Sequence, residues 1–115
     1  MKYVFLLYGD EAAEAAQPPE ELRKILAEHG AISAEIRARG AMVAGEPLAA
    51  SENATTIRFD TGEPVVTDGP FAETKEQIGG LYILECADLD EALEWGRRMP
   101  RSPGLVVEIR PVPEF

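Results

Sequence analysis

The chain has 115 residues, of which 45% are apolar and 28% charged, and its net charge is −10. This length predicts one domain over residues 1–115 with a modest core, and the apolar fraction excludes a disordered chain. The negative charge argues against a nucleic-acid partner, and no apolar run approaches the roughly 20 residues that cross a bilayer.

The first predicted strand covers residues 2–8, where aromatic, β-branched and aliphatic side chains follow one another. Gly9-Asp10-Glu11 follow too soon for this segment to be a signal peptide. Cys86 is the lone cysteine and His29 the lone histidine, so neither a disulfide nor a clustered metal site is expected. No nucleotide fingerprint or phosphate loop indicates a cofactor. We therefore expect a cytoplasmic protein without metal or cofactor.

The next predicted element is a long helix that opens at Pro18-Pro19 and runs to about Arg39, before Gly40. At 100° per residue, His29 falls in the middle of its apolar stripe and Ser33 lies one turn later. Buried polar side chains need partners. His29 is therefore either a core histidine bonded to a backbone carbonyl or a general base that a carboxylate orients.

The remaining elements complete a ferredoxin-like order. Asp88 and Glu91 form a capping box at the start of a second helix, which ends near Arg97-Arg98. Strands are predicted at residues 41–48, at 55–60 and 63–67 around the turn "DTGE", at 81–86 and at 105–110. The fold class is α+β, a ferredoxin-like split βαβ arrangement with an antiparallel sheet.

Both faces of the first strand are apolar, which bears on assembly. Tyr3, Phe5 and Leu7 point to one face. Val4, Leu6 and Tyr8 point to the other. Two helices cover only one face of such a sheet, so a second copy packing sheet to sheet would cover the other. We expect a homodimer; the alternative is a monomer with scattered exposed apolar residues.

The stretch "VVTDGPFAETKEQIGG" (65–80) crowds ionisable groups between a β-branched run and two glycines. Asp68-Gly69 is a turn pair, and Pro70 restricts the next position. Phe71 is expected to pin the loop to the core and so to hold the Asp68 carboxylate in place. The alternative is a solvated connection in which Lys75 and its acidic neighbours form weak surface pairs.

These residues carry a family resemblance. "VTDGPFAETKEQIGGLYILE" (66–85) resembles the signature of the DGPF family, also called YCII-related proteins. Further likeness lies in "YGDE" (8–11), "AGEPL" (44–48), "ATTIR" (54–58), "DLDEALEWGRRMP" (88–100) and "VEIRPV" (107–112). The resemblance implies a dimeric α/β barrel of ferredoxin-like protomers. It also implies that His29 and Asp68 are candidates for the catalytic pair proposed in the wider superfamily. Some such relatives are encoded beside sigma factors, which implies a transcription-related partner.

Two hypotheses of function follow. The first is an enzyme acting on a small polar compound by hydrolysis or lyase chemistry, with His29 and Asp68 as its acid–base pair. Its substrate-binding candidates are Tyr8, Ser33, Phe71 and Lys75. The second is a ligand-binding or regulatory dimer without catalysis, because ferredoxin-like folds serve many roles.

Overall fold

The computed structural model describes residues 1–115 and contains six strands and three α-helices. The strands are β1 (Lys2–Asp10), β2 (Met42–Pro47), β3 (Thr55–Arg58), β4 (Val65–Asp68), β5 (Glu76–Glu85) and β6 (Val106–Pro111). The helices are α1 (Glu11–Ala15), α2 (Pro19–Ala38) and α3 (Leu89–Arg97), and one 3₁₀ turn covers Ser51–Asn53. None of the helices combines the length and apolar character needed to cross a bilayer.

Four strands form one antiparallel sheet in the order β2-β5-β1-β6. Each long helix connects two strands that flank a third, so the connectivity is the predicted ferredoxin-like split βαβ fold. The sheet of a single chain is open and does not close into a barrel. β3 and β4 pair only with each other, as a separate two-stranded hairpin between β2 and β5.

The ends of the two long helices follow local chemistry. Pro19 opens α2, and the helix stops before Gly40, whose φ of +71° lies in the left-handed region that glycine adopts without strain. At α3, the Asp88 carboxylate accepts from the amide of Glu91 at 2.9 Å. The Glu91 side chain in turn accepts from the Ala87 amide at 3.2 Å. The predicted cap is therefore present, although Glu91 reaches one residue further back than a standard capping box.

The core lies between the helices and one face of the sheet. Phe5 of β1, Leu84 of β5 and Ile36 of α2 are its largest fully buried side chains, and Trp95 of α3 joins them. The opposite face carries no helix. Its apolar residues, such as Val4 and Leu6, alternate with the buried ones and remain partly exposed. The predicted alternation along β1 is thus confirmed.

The central strands are longer than predicted. β5 begins at Glu76 rather than at residue 81, and β1 continues to Asp10. The added segments pair with each other, with Tyr8 opposite Ile78 and Asp10 opposite Glu76, beyond a register shift that leaves Gly79 of β5 without a partner in β1. Main-chain pairing therefore makes a strand of a Gly-containing, polar segment that side-chain propensity assigns to a loop.

The expectation that Phe71 pins its loop to the core is wrong. Its side chain is 74% exposed, and the guanidinium of Arg58 lies over the ring at 5.3 Å from its centre. The loop is ordered instead by polar contacts. The Gln77 amide donates to the carbonyls of Ala72 and Thr74 at 2.8 and 2.9 Å, and Arg58 donates to that of Phe71 at 3.1 Å.

Candidate functional site

A cavity of about 410 Å³ lies between α2 and the helix-covered face of the sheet. Its floor is formed by the ends of β1, β2 and β5, and its roof by α2. Leu22 and Leu26 line it while remaining 52% and 58% exposed, so they form an apolar rim. The helical pattern assigns both leucines to the core stripe, but the cavity lies beneath them and leaves them half in solvent. A volume of this size suits a small molecule.

A chain of three hydrogen-bonding side chains faces this cavity. Nδ1 of His29 lies 2.7 Å from the hydroxyl of Tyr82, and Oγ of Ser33 lies 3.4 Å from the same hydroxyl. The His29 and Tyr82 rings also stack, with centres 5.9 Å apart and an angle of 17° between their planes. The partner of His29 is thus a phenol. It is neither the backbone carbonyl nor the carboxylate that sequence reasoning weighed.

Burial sets the charge state of His29. Loss of hydration lowers the pKa of its imidazole below the ordinary 6.5, and the nearby carboxylate of Glu28 opposes that shift. The ring is therefore neutral near pH 7 and has a nitrogen able to accept a proton. Such a group is suited to act as a general base toward a molecule in the cavity.

Gly45 of β2 is what allows Tyr82 to lie in this position. A Cβ at residue 45 would come within 2.8 Å of Cδ1 of the Tyr82 ring, closer than unbonded carbons approach. The glycine therefore lets the Tyr82 ring pack closely against β2, with its hydroxyl in contact with His29 of α2. Gly80 of β5 allows the two backbones to lie close together, since a Cβ there would meet the carbonyl oxygen of Glu46 on β2 at 3.1 Å.

Three charged residues that sequence reasoning missed also line the cavity. Arg37 lies one turn beyond Ser33 on α2, Glu14 lies on α1, and Glu46 lies on β2. Burial raises the pKa of Glu14 above its ordinary value, with smaller contributions from Glu11 and Asp10. Helical spacing was the available signal for Arg37, because it repeats the four-residue step from His29 to Ser33. No sequence pattern indicates Glu14 or Tyr82, whose positions depend on the folded sheet.

Of the remaining predicted site residues, the hairpin group lies apart from the cavity within one chain. Asp68 ends β4 and is exposed, and Phe71 and Lys75 are exposed on the loop that follows. None of the three lines the cavity that contains His29 and Ser33. A single chain therefore brings together His29 and Ser33, and it does not bring Asp68 to His29.

Tyr8 contributes to the cavity wall, but its hydroxyl is engaged elsewhere. It donates to the Glu108 carboxylate at 3.3 Å, on the sheet face without helices. The Glu108 carboxylate also accepts from Arg110, with which it forms an ion pair on β6. Burial and the Glu108 charge raise the pKa of Tyr8. Cys86 is buried, and burial raises the pKa of its thiol to about 11, so the thiolate is disfavoured.

Comparison with known proteins gives two findings. The model of the YCII-related domain matches residues 1–115. An uncharacterized protein of Rhizobium meliloti (strain 1021) is 37% identical over 102 residues, which cover 89% of this chain and 82% of that protein.

Proposed function

Since the chain belongs to the YCII-related domain family, we propose that it is a homodimer that transforms a small polar molecule by proton transfer in the cavity beneath α2. The observation that carries this proposal is the 2.7 Å contact between His29 and Tyr82 at the wall of a 410 Å³ cavity. A neutral imidazole and a phenol in hydrogen-bond contact are a pair that moves protons.

The roles of the cavity residues follow from their chemistry. His29 takes a proton from the bound molecule, because the lowered pKa leaves its imidazole neutral near pH 7. In this role the Nδ1–H of His29 donates to the Tyr82 hydroxyl oxygen, which leaves the lone pair of Nε2 free to take the proton. Ser33 offers a hydroxyl beside them, and Arg37 a positive charge for an acidic group of the ligand.

Asp68 is proposed as the second acid–base group, and Phe71 and Lys75 as further ligand contacts with Tyr8. The hairpin residues lie outside the cavity of their own chain, so this part of the proposal requires the dimer. Support for the dimer comes from the open sheet face, where Val4, Leu6, Leu81 and Ile83 are only partly covered. Two such faces packed together would close two open sheets into one barrel.

The alternative is a regulatory module in which the same cavity binds a ligand without turnover and the dimer contacts a transcription-related protein. One observation favours it: no carboxylate contacts His29 within the chain. A histidine bonded to a phenol serves ligand binding as well as it serves catalysis.

A small-molecule library screened by thermal shift tests both functions, because a ligand bound to the native state raises the melting temperature. Wild type, His29→Gln and Tyr82→Phe are screened in parallel, and each stabilising compound is then followed by NMR for conversion to product. Enzyme function predicts a compound that stabilises wild type, is consumed, and is not consumed by His29→Gln. A ligand that binds without being consumed identifies the regulatory module. Compounds that stabilise all three proteins equally would show that the cavity is not the site.

A further inference from the structure

The hairpin formed by β3 and β4, with the returning loop 69–75, is here called the arm. It pairs with no strand of the main sheet. Its apolar side chains are in solvent: Val66 is 63% exposed and Phe71 74%, and Ile57, Phe59 and Val65 are exposed as well. An isolated two-stranded ribbon is marginally stable in water. The arm therefore has the composition of a segment that packs against something outside its own chain.

The overall dimensions of the chain also indicate that part of its surface packs against another molecule. The chain exposes 7808 Å², whereas a compact monomer of 12.5 kDa exposes about 6,200 Å². Its radius of gyration is 15.9 Å, against about 13 Å for a compact domain of this length. The surplus of about 1,600 Å² per chain exceeds the roughly 800 Å² that each partner buries in a standard interface. A second copy of the chain, covering this surplus on both protomers, is an occupant of the right size.

The arm begins and ends at the wall of the cavity. The amide of Leu48, where the chain leaves the sheet, donates to the carbonyl of Gly79, where it returns, at 2.9 Å. Gly79 and Gly80 both line the cavity. A two-fold pairing of two chains is reciprocal, so if one arm lies at the cavity of the other chain, the second arm lies at the cavity of the first.

One cationic residue and an apolar rim at the cavity suit the arm. The Asp68 carboxylate on the arm is exposed and forms no ion pair within the chain, and neither does the Arg37 guanidinium at the cavity. The half-exposed rim leucines, Leu22 and Leu26, offer an apolar surface to the apolar side chains of the arm. The carboxylates of Glu14 and Glu46 also line the cavity, so the features that suit the arm are the Arg37 guanidinium, which can pair with Asp68, and the apolar rim.

We propose that each arm lies across the cavity mouth of a second copy of the chain and brings its Asp68 beside Arg37 and His29 of that copy. The site is then completed by both protomers, with one supplying the imidazole and phenol and the other the carboxylate. This inference rests on the proposed function for the role of Asp68, but the contact itself is independent of any ligand.

Interchain disulfide formation tests the contact in the full-length protein. The double variant Asp68→Cys with Arg37→Cys is oxidised and separated on a non-reducing gel, and each single variant is the control. Native Cys86 does not interfere, because it is buried and its thiol has a pKa of about 11. We expect a band at about twice the 12.5 kDa chain mass for the double variant, several-fold stronger than for either single variant. A disulfide within one chain, or no disulfide, would overturn the proposal.

Sedimentation equilibrium with a matched pair of exposed apolar residues provides the second test. Val66→Asp places a charge on the arm, and Leu89→Asp makes the same change on α3, where Leu89 is 50% exposed and away from the arm. We expect Val66→Asp to weaken dimerisation by at least about tenfold, since burying a lone charge is costly, and Leu89→Asp to leave it unchanged. A wild-type monomer at micromolar concentration, or equal dimerisation by both variants, would contradict the arm contact. Since both readouts are taken without ligand, a dimer that passes them but binds no compound would refute only the proposed function.

Discussion

Removal of the Tyr82 hydroxyl tests the geometry on which the candidate site depends. Tyr82→Phe keeps the ring that packs between Gly45 and His29 and deletes only the oxygen that contacts His29 and Ser33. The 2.7 Å contact with Nδ1 is a full hydrogen bond, whereas the 3.4 Å contact with Ser33 is close to the limit of one. The variant therefore loses one hydrogen bond of consequence.

The expected cost follows from that count. One such bond contributes about 1 kcal/mol to folding, and His29 lies beside an open cavity, so water can replace the lost partner and keep the cost near this value. For 115 residues, unfolding entropy of about 2.1 cal/mol/K per residue converts about 1 kcal/mol into a fall in melting temperature of about 4 °C.

Tyr3→Phe is the matched control for this measurement. Tyr3 is 5% exposed and Tyr82 7%, but the Tyr3 hydroxyl forms no hydrogen bond within the chain. Differential scanning calorimetry should show the fall of about 4 °C for Tyr82→Phe and about 1 °C or less for Tyr3→Phe. An unchanged melting temperature for Tyr82→Phe, or the same decrease in both variants, would refute the assignment of Tyr82 as the structural partner of His29.

Four further predictions concern the same cavity. NMR titration of the single histidine should give a His29 pKa below 6.5, and Glu28→Gln should lower it further by removing a carboxylate that raises it; a rise in Glu28→Gln would contradict the assigned cause. Because the pKa of His29 is lower in the folded state, the unfolded chain binds the proton first as pH falls below 6.5. The free energy of unfolding should therefore decrease as pH falls from 6.5 to the folded pKa. Urea titrations should show that His29→Gln abolishes this dependence. Gly45→Ala should destabilise the fold by about 1–3 kcal/mol by displacing the Tyr82 ring. If the variant unfolds at the same urea concentration as wild type, the ring has room for the added methyl group. Gly30→Ala meets no atom within 4 Å and should raise stability by about 0.5–1 kcal/mol through helix propensity; a loss of stability would mean that a side chain at residue 30 enters occupied space.

Much of the fold follows from local sequence signals. The proline pair before α2, the Asp88 cap of α3 and the alternation along β1 each depend on a few neighbouring residues, and each is present in the structure. The order of these elements leads to the ferredoxin-like sheet, because right-handed crossover connections leave few other arrangements. The position of His29 and Ser33 on one side of α2 likewise follows from the helical repeat.

The site depends on contacts that no local pattern contains. Tyr82 meets His29 across 53 positions of sequence, and the approach requires Gly45 on a third element. The loop after the hairpin shows that a local pattern can also predict a contact that the chain does not make. The apolar character of Phe71 suggests burial, yet its ring lies in solvent. Hydrophobicity indicates that burying a side chain is favourable, but it does not indicate which surface the side chain packs against. The tertiary structure decides that surface, and for the arm, in our proposal, a second copy of the chain provides it.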